Sequence, residues 1–306
     1  MRLMPDDTGL IRMAVIAGST ATGKSEVAVK VAGALGGEIV NADSVQLYRH
    51  FDIGSAKPSP EMLAAVPHHL VDFLPPDRNF SLWDFKIAAH EAITEIASRG
   101  KVPILCGGTG LYLKAVLENL HGGVKGDEGF RRELMGTPAP ELYGRLKELD
   151  PHRAGEIHPN DTYRIIRGIE NACLPRVEPL RELPPYDAVF FILTASRSII
   201  YERVEKRVDT MFENGWIAEV EGILAKGFSS GCKPFNSVGY AQIVRHLAGG
   251  MTKEELVAEV KKVTRNYAKR QETWFSAVKD AVRIDVSSGD TGVAAREIIR
   301  RMGMTR

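Results

Sequence analysis

The sequence predicts an α/β fold, a parallel sheet with helices on both faces, interrupted by a helical insertion. Three observations carry this expectation. From Met13 onward, short apolar runs alternate with amphipathic segments of helix length, the pattern of βαβ units. The runs end in glycine-rich or polar turns, Gly18 to Ser25, Asn41 to Gln46 and Gly107 to Tyr112. Turns after the carboxyl ends of parallel strands are where such sheets bind ligands. Between roughly Gly122 and Pro185 the β-rich runs disappear and short helical segments replace them.

Met13 to Ala17 is a buried strand closed by Gly18. Lys24 to Leu35 follows as a helix, with Val27, Val31 and Leu35 spaced along one face, and Gly36-Gly37 stops it. Glu38 to Asn41 is the second strand. Ser81 to Ser98 is helical, with Ser81 as N-cap and Asp84 three residues on, an approximate capping box. Val102 to Cys106 is a further strand, closed by Gly107-Gly108, and Leu111 to Leu120 a helix. Within the insertion, Pro140 to Leu149 and Asp161 to Cys173 are the expected helices, and Pro184-Pro185 ends it. Val189 to Thr194 returns to strand, Ile199 to Lys226 to helix, and Lys253 to Ala277 is a long terminal helix before a last strand, Val282 to Val286. The expected organisation is therefore a core built from residues 1–121 and 187–306, with the insertion at 122–186.

At 306 residues, 44% hydrophobic and 26% charged, the chain can bury a sizeable core in one or two domains. Its apolar runs are too short for a membrane span. Met1 to Arg12 carries Asp6 and Asp7 and lacks the apolar core of a secretory signal. Cys106, Cys173 and Cys232 are widely separated and show neither metal-ligand spacing nor a disulfide framework, which suits a reduced, cytoplasmic setting. A net charge of +1 neither announces a nucleic-acid partner nor excludes one, because a local basic face suffices for phosphate contacts. A monomer is expected.

Gly18-Ser19-Thr20-Ala21-Thr22-Gly23-Lys24-Ser25 matches G-x-x-x-x-G-K-[ST] at every fixed position, between a predicted strand and a predicted helix. The core is thus a P-loop NTPase-like three-layer α/β fold. Glycines let the backbone curl so that its N–H groups point at phosphate oxygens, and the helix N-terminus adds positive potential. Lys24 supplies a full charge, and the Ser25 hydroxyl can ligate Mg²⁺. The motif specifies phosphate rather than a reaction. A small-molecule kinase or NTPase is the default reading, yet such enzymes use an apolar strand ending in an acidic Mg²⁺-holding residue, and Val102 to Cys106 ends in Gly107-Gly108.

Asp43 follows the second strand, whose end should lie beside the phosphate loop. There it can serve as a Mg²⁺ ligand, as a general base or simply as a turn carboxylate. The string Asn41-Ala42-Asp43-Ser44-Val45-Gln46-Leu47-Tyr48-Arg49, followed by Asp52 to Pro58, resembles the tRNA dimethylallyltransferase (tRNA isopentenyltransferase) family. The resemblance continues through Pro67-His68-His69-Leu70, Gly107 to Tyr112, His158 to Asp161, Arg203 to Val208, Ser237 to Tyr240 and Lys269 to Trp274. The motifs keep the family's order from about residue 14 to 277.

The resemblance implies transfer of a dimethylallyl group from dimethylallyl diphosphate to N6 of adenosine 37, beside the tRNA anticodon, with release of diphosphate. It assigns Gly18 to Ser25 (Gly18, Ser19, Thr20, Ala21, Thr22, Gly23, Lys24 and Ser25) and one of Arg203 and Arg207 to the donor's diphosphate, with Mg²⁺ neutralising it and Ser25 as metal ligand. It makes Asp43 the general base toward the adenine amine, a poor nucleophile whose lone pair is delocalised into the ring. It places Thr109 beside the substrate, where it can bond base or phosphate; as helix N-cap before Leu111, Thr109 also has a structural role to play. The segments that meet the tRNA anticodon stem-loop in the family match Asp43, Ser44, Val45 and Gln46; Tyr163 to Arg167; and Asn236 to Ala241, including Gly239 and Tyr240, with Arg131 as a further position. Arg164 and Arg167 can pair with phosphates.

The terminal helix points the same way from its own pattern. Leu256, Val260, Val263, Tyr267 and Trp274 fall on one side and Lys262, Arg265 and Lys269 on the other, a basic stripe that, with Lys269-Arg270 of the family motif, is expected to meet RNA. The chain departs from common family residues at Ser19, Thr22, Ser55, Asn236 and Ala241. The nearest rival is an adenylate isopentenyltransferase acting on free AMP, ADP or ATP. It shares the phosphate loop, the aspartate and the Gly-Gly-Thr turn but not the helical insertion.

Overall fold

The computed structural model describes residues 9–118, 124, 127–175 and 186–303. Gly122 and Pro184-Pro185, at the expected borders of the insertion, lie outside the described residues. The first half of the core runs β1 (Ile11–Gly18), α1 (Lys24–Leu35), β2 (Glu38–Asn41), α2 (Pro60–Ala65), β3 (His68–His69), α3 (Leu82–Ser98), β4 (Pro103–Gly107) and α4 (Gly110–Leu117). Four helices follow, α5 (Glu128–Met135), α6 (Ala139–Leu149), α7 (Pro151–Gly155) and α8 (Thr162–Cys173). The chain then continues with β5 (Tyr186–Thr194), α9 (Arg197–Glu213), α10 (Trp216–Ala225), α11 (Tyr240–Leu247), α12 (Lys253–Ser276), β6 (Val282–Asp285) and α13 (Thr291–Arg301). It divides into two compact units, Met1–Asn119 with Pro184–Arg306, and Leu120–Leu183.

In the larger unit six strands form one parallel sheet in the order β3-β2-β4-β1-β5-β6. Its centre is β1, where Ala14 pairs with Ile104 on one side and Val189 on the other. The period of two is visible in the packing. Met13, Val15 and Ala17 enter a core shared with Phe85, Trp216 and Val260, whereas Ala14 and Ile16 enter a second core with Val27, Val31 and Ile298. A strand buried on both faces reads as a continuous apolar run, which is why IRMAVIAG shows no polar alternation. Ser81 caps α3 in a full capping box with Asp84.

Several elements differ from expectation. The predicted helix Ile199 to Lys226 is two helices, because Asn214-Gly215 breaks it and Gly215 takes a left-handed φ of 90°. The helix expected over Leu111 to Leu120 ends at Leu117. β5 begins at Tyr186, three residues before the apolar run, because its first residues pair with Ile11 and Arg12. The two-residue β3 is too short to show a period, and α2, α11 and α13 were not read from the sequence.

The smaller unit packs α5, α6, α7 and α8 around Leu134, Leu142, Leu146, Ile157, Ile165 and Ile169. Glu170 is fully buried in it and binds Arg131 (3.0 Å) and Arg167 (2.6 Å), so the carboxylate is compensated by two guanidinium groups.

Candidate active site

The loop between β1 and α1 has the curl that phosphate binding needs. Gly23 takes φ 79° as the N-cap of α1, and Ala21 takes φ 66° without being glycine, a strained conformation held by the surrounding packing. Ser19 and Thr22, the departures from common family residues, are both buried, and the Thr22 hydroxyl donates to the Ser19 carbonyl at 2.8 Å. The threonine therefore braces the loop from within and takes no loop N–H.

Lys24 and Ser25 open α1 and line a cavity of about 20 Å³ with Asn41, Asp43, Gln46, His68 and Gly107. That volume holds one water or one small ion. Burial of the Lys24 ammonium group pushes its pKa below the ordinary value, with the Asp43 charge pulling the other way and Arg207 adding to the fall. The cavity's Ser25, Asp43, Asn41 and Gln46 side chains offer oxygen donors, a set that fits Mg²⁺, which keeps several waters and borrows phosphate oxygens. Among the described residues no cluster of three or more His, Cys, Asp or Glu is placed to hold a metal by itself. Cys106, at the end of β4, is pushed up to about 12 by burial and is an inert thiol.

Asp43 sits in a tight Asx turn. Its Oδ1 accepts the N–H groups of Val45 (2.9 Å) and Gln46 (3.3 Å), and its own N–H donates to Asn41 Oδ1 at 3.2 Å. Oδ2 has no hydrogen-bond partner among the described residues. The turn after β4 is stitched to it: Ala42 N–H donates to Cys106 O (2.7 Å), Thr109 N–H to Ala42 O (3.2 Å), and Ser44 N–H to Thr109 Oγ1 (3.2 Å). Thr109 stands at the N-cap position of α4, but its side chain caps nothing there and serves Ser44 instead. Burial and the Asp43 charge push the pKa of the Tyr267 phenol upward, and the Thr109 hydroxyl pulls it the other way.

The two candidate arginines part company. Arg207 Nη1 donates to Thr20 Oγ1 at 3.4 Å, on the phosphate loop, and burial lowers its pKa against the pull of Glu26. Arg203, one turn earlier on α9, spends Nη2 on the carbonyls of Val286 (2.9 Å) and Ser287 (2.8 Å). Only Arg207 is brought to the loop, because the bonds of Arg203 tie it to the segment after β6.

Other expected contact residues are placed less uniformly. Ser44 and Val45 are half-buried beside Asp43, whereas Gln46 is buried and its Nε2 donates to the carbonyls of Ser55 and Ala56 at 3.0 Å. Asn236 is exposed, but Gly239 and Tyr240 are buried. The Tyr240 hydroxyl donates to Glu219 at 2.7 Å, so its side chain is a core group rather than an RNA contact in this structure. On α12 the buried face is Leu256, Val260, Ala268, Gln271 and Phe275. The stripe of Lys262, Arg265 and Lys269 is not a free basic face. Arg265 bonds Glu205 on α9 at 2.5 Å and Lys262 pairs with Glu259, while Lys269 and Arg270 remain exposed. Helical periodicity does not show that α9 packs along this side of α12. In the smaller unit Tyr163 is 71% exposed and Arg164 exposed beside Asp161 (3.4 Å), whereas Arg131 and Arg167 are held by Glu170.

Sequence reading placed Gln271 inside the Lys269 to Trp274 motif but gave it no role. Its side chain is buried between the phosphate loop and the Gly107-Gly108-Thr109 turn, bonded to both. The available signal was a polar residue at a helical position flanked by Ala268 and Phe275. Glu219 was missed; it accepts N–H groups of Asp52 (2.9 Å) and Ile53 (2.6 Å) and holds that loop to Tyr240. Among the described residues no helix is long and apolar enough to cross a membrane.

Comparison with known proteins places this arrangement among prenyl-transferring enzymes. The family model described as IPP transferase matches residues 46–278, and one described as isopentenyl transferase matches 11–72. The chain is 46% identical over 285 residues to tRNA dimethylallyltransferase 2 of Geotalea uraniireducens, covering 89% of this chain and 92% of that one. It is 44% identical to the tRNA dimethylallyltransferase of Geobacter sulfurreducens, covering 86% and 88%. Among solved structures it resembles the tRNA isopentenylpyrophosphate transferase of Bacillus halodurans, with TM-score 0.71, 35% identity and coverage of 95% and 97%. A eukaryotic dimethylallyltransferase acting on tRNA superposes with TM-score 0.75 at 25% identity, over 94% of this chain and 78% of that one.

Proposed function

The chain belongs to the IPP transferase family, and we propose that it transfers a dimethylallyl group from dimethylallyl diphosphate to N6 of adenosine 37 in tRNA, releasing diphosphate. One observation carries the reading onto this chain's own residues. The Asp43 turn and the Thr109 turn are stitched together by three hydrogen bonds, and both stand at the phosphate loop, where Lys24 feels the Asp43 charge. Binding a phosphate does not by itself need a carboxylate held there by its own Asx turn with one oxygen left over. Alkylation of an amine does.

In the proposed reaction the C–O bond between the allyl carbon and the diphosphate breaks and an N–C bond forms at N6. The amine's proton passes to Asp43 Oδ2, because Oδ1 is engaged by Val45 and Gln46. Lys24, Arg207 and the loop N–H groups meet the charge that grows on the leaving diphosphate. Ser25 would hold Mg²⁺, which would supply further neutralisation of the leaving diphosphate when bound. Thr109 and Tyr267 offer hydroxyls beside the base's target. The adenine leaves its stack in the anticodon loop to reach them, as bases do in enzymes that modify them. A monomer working on cytoplasmic tRNA suits this reading.

The test supplies labelled dimethylallyl diphosphate and Mg²⁺ with unmodified tRNA, AMP or ATP. Label on a tRNA adenosine supports the proposal. Label on AMP alone would replace it with free-nucleotide prenylation, and ATP hydrolysis without prenyl transfer would replace it with a kinase-like activity.

A further inference from the structure

We propose that Gln271 is a positioning residue that sets the distance between the diphosphate loop and the Asp43–Thr109 acceptor side. The inference deepens the proposed function and rests on it. Gln271 lies on the buried face of α12, where an amide is costly unless both ends are bonded. Both are. Oε1 accepts the N–H of Thr20, on the phosphate loop, at 2.8 Å. Nε2 donates to the carbonyl of Gly108, in the turn after β4, at 2.8 Å.

The turn after β4, Gly107-Gly108-Thr109-Gly110, is rich in glycine and has few side chains with which to hold its neighbour. Gly108 leaves the space that the amide fills: a Cβ there would lie 2.5 Å from Gln271 Nε2 and 3.5 Å from Lys24 Cε. From Gly108 the connection continues through Thr109 Oγ1 to the N–H of Ser44, next to Asp43. One side chain therefore joins the loop assigned to the donor to the turns that carry the base. Bond formation between two bound substrates depends on that separation, and a 1 Å error costs on the order of 10²-fold in rate. The Thr20 N–H is spent on Gln271, so the loop presents the N–H groups of later residues to diphosphate.

Two variants test this. Q271M keeps length and removes both hydrogen bonds. Q271E as a carboxylate keeps an acceptor for Thr20 but sets a negative charge against the Gly108 carbonyl, whereas its protonated form can make both bonds. Binding of dimethylallyl diphosphate with Mg²⁺ is measured by calorimetry, single-turnover transfer to tRNA by label, and tRNA affinity by filter binding. For Q271M, with a cooperative thermal melt retained, transfer is expected to fall on the order of 10–100-fold and the donor Kd to rise about fivefold, with tRNA affinity unchanged within about twofold. For Q271E, the rate relative to wild type at the same pH is expected to recover about fivefold or more as pH falls from about 8.5 to 6, because burial favours the protonated acid. Wild-type rate and donor affinity in Q271M would overturn the proposal. So would equal impairment of both variants at every pH, which is the signature of packing damage alone. If wild type binds the donor but prenylates no tRNA, the proposed function fails, and the donor-affinity comparison still decides the role of Gln271.

Discussion

Asp43→Asn separates the chemistry of the carboxylate from its structural work. The Asx turn uses Oδ1, which accepts from Val45 and Gln46, and asparagine retains that oxygen. What it loses is the negative charge and the basic Oδ2. A positioned general base contributes about 10²–10⁴-fold, or roughly 3–5 kcal/mol of transition-state stabilisation. The turn itself weakens less, because charge-assisted bonds become neutral ones. Asp43→Ala removes both turn bonds as well, at a further cost of about 1–3 kcal/mol, and frees Val45 and Gln46 to move. The expected pattern is single-turnover transfer down by at least about 10²-fold in both variants, with tRNA affinity within about twofold of wild type for Asn and visibly weaker for Ala. Loss of the Asp43 charge also lets burial depress the Lys24 pKa further. Donor binding by the Asn variant should therefore decline at lower pH, on raising pH, than it does in wild type. Transfer by Asp43→Asn within about tenfold of wild type would refute the assignment of Asp43 as base. Equal loss of tRNA binding in the two variants would show that the charge, not the turn, matters to RNA.

Arg207→Ala should raise the donor Kd by about tenfold or more, from loss of a partly desolvated cation at the loop. Arg203→Ala should leave donor affinity unchanged and lower the melting temperature, since its bonds go to Val286 and Ser287. Calorimetry with Mg²⁺-dimethylallyl diphosphate and a thermal melt distinguish the two. Gly110→Ala would put a Cβ 2.3 Å from the Trp274 ring, an overpacking cost of about 1–3 kcal/mol, so its melting temperature and transfer rate should fall together; Trp274→Leu in the same chain should restore part of the melting temperature. Burial alone would raise the Glu38 pKa, but bonds to Arg99, His69 and Lys101 outweigh it and hold the carboxyl at about 2 rather than 4.5. That difference is worth about 3 kcal/mol of folding stability. Because the folded-state pKa is depressed, the contribution is complete above the unfolded value and disappears as pH falls from about 4.5 toward 2. Denaturant unfolding should show Glu38→Gln less stable at pH 7 by up to that amount, with the gap to wild type narrowing at acidic pH. A gap that stays constant from pH 7 to pH 3 would contradict the ion-pair account.

Much of the core's local structure is legible in the chain because its signals are local. The phosphate loop has its glycines, lysine and serine in one octapeptide between an apolar run and an amphipathic helix, and those neighbours alone dictate its curl. Ser81 and Asp84 mark a helix start by bonds that span three residues. The break at Asn214-Gly215 was equally local, but continuous amphipathicity on either side concealed it. Two-residue β3 carries too few side chains to express any period.

The candidate site divides along the same line. Asp43, Lys24 and Thr109 are named by motif, and their types suit the chemistry before any coordinates are known. Which arginine serves the loop was not decidable, since Arg203 and Arg207 stand on one face of one helix and differ only in what packs beyond it. The basic stripe on α12 is interrupted at Arg265, because Glu205, on another helix, occupies the place assumed to be solvent there. Tyr240 looks like a surface contact until Glu219 and the aromatic core enclose it.

By itself, then, the sequence determined an α/β phosphate-binding fold, because that rests on short-range geometry, while the prenyl-transfer reading with Asp43 as base came from the resemblance of its motifs to a family. Tertiary structure alone decided strand order, the choice of Arg207, and the place of Gln271 between segments 251 and 163 residues away along the chain. Hydrogen bonds act over about 3 Å of space whatever the distance along the chain, so a contact across that separation leaves no periodicity or spacing to read.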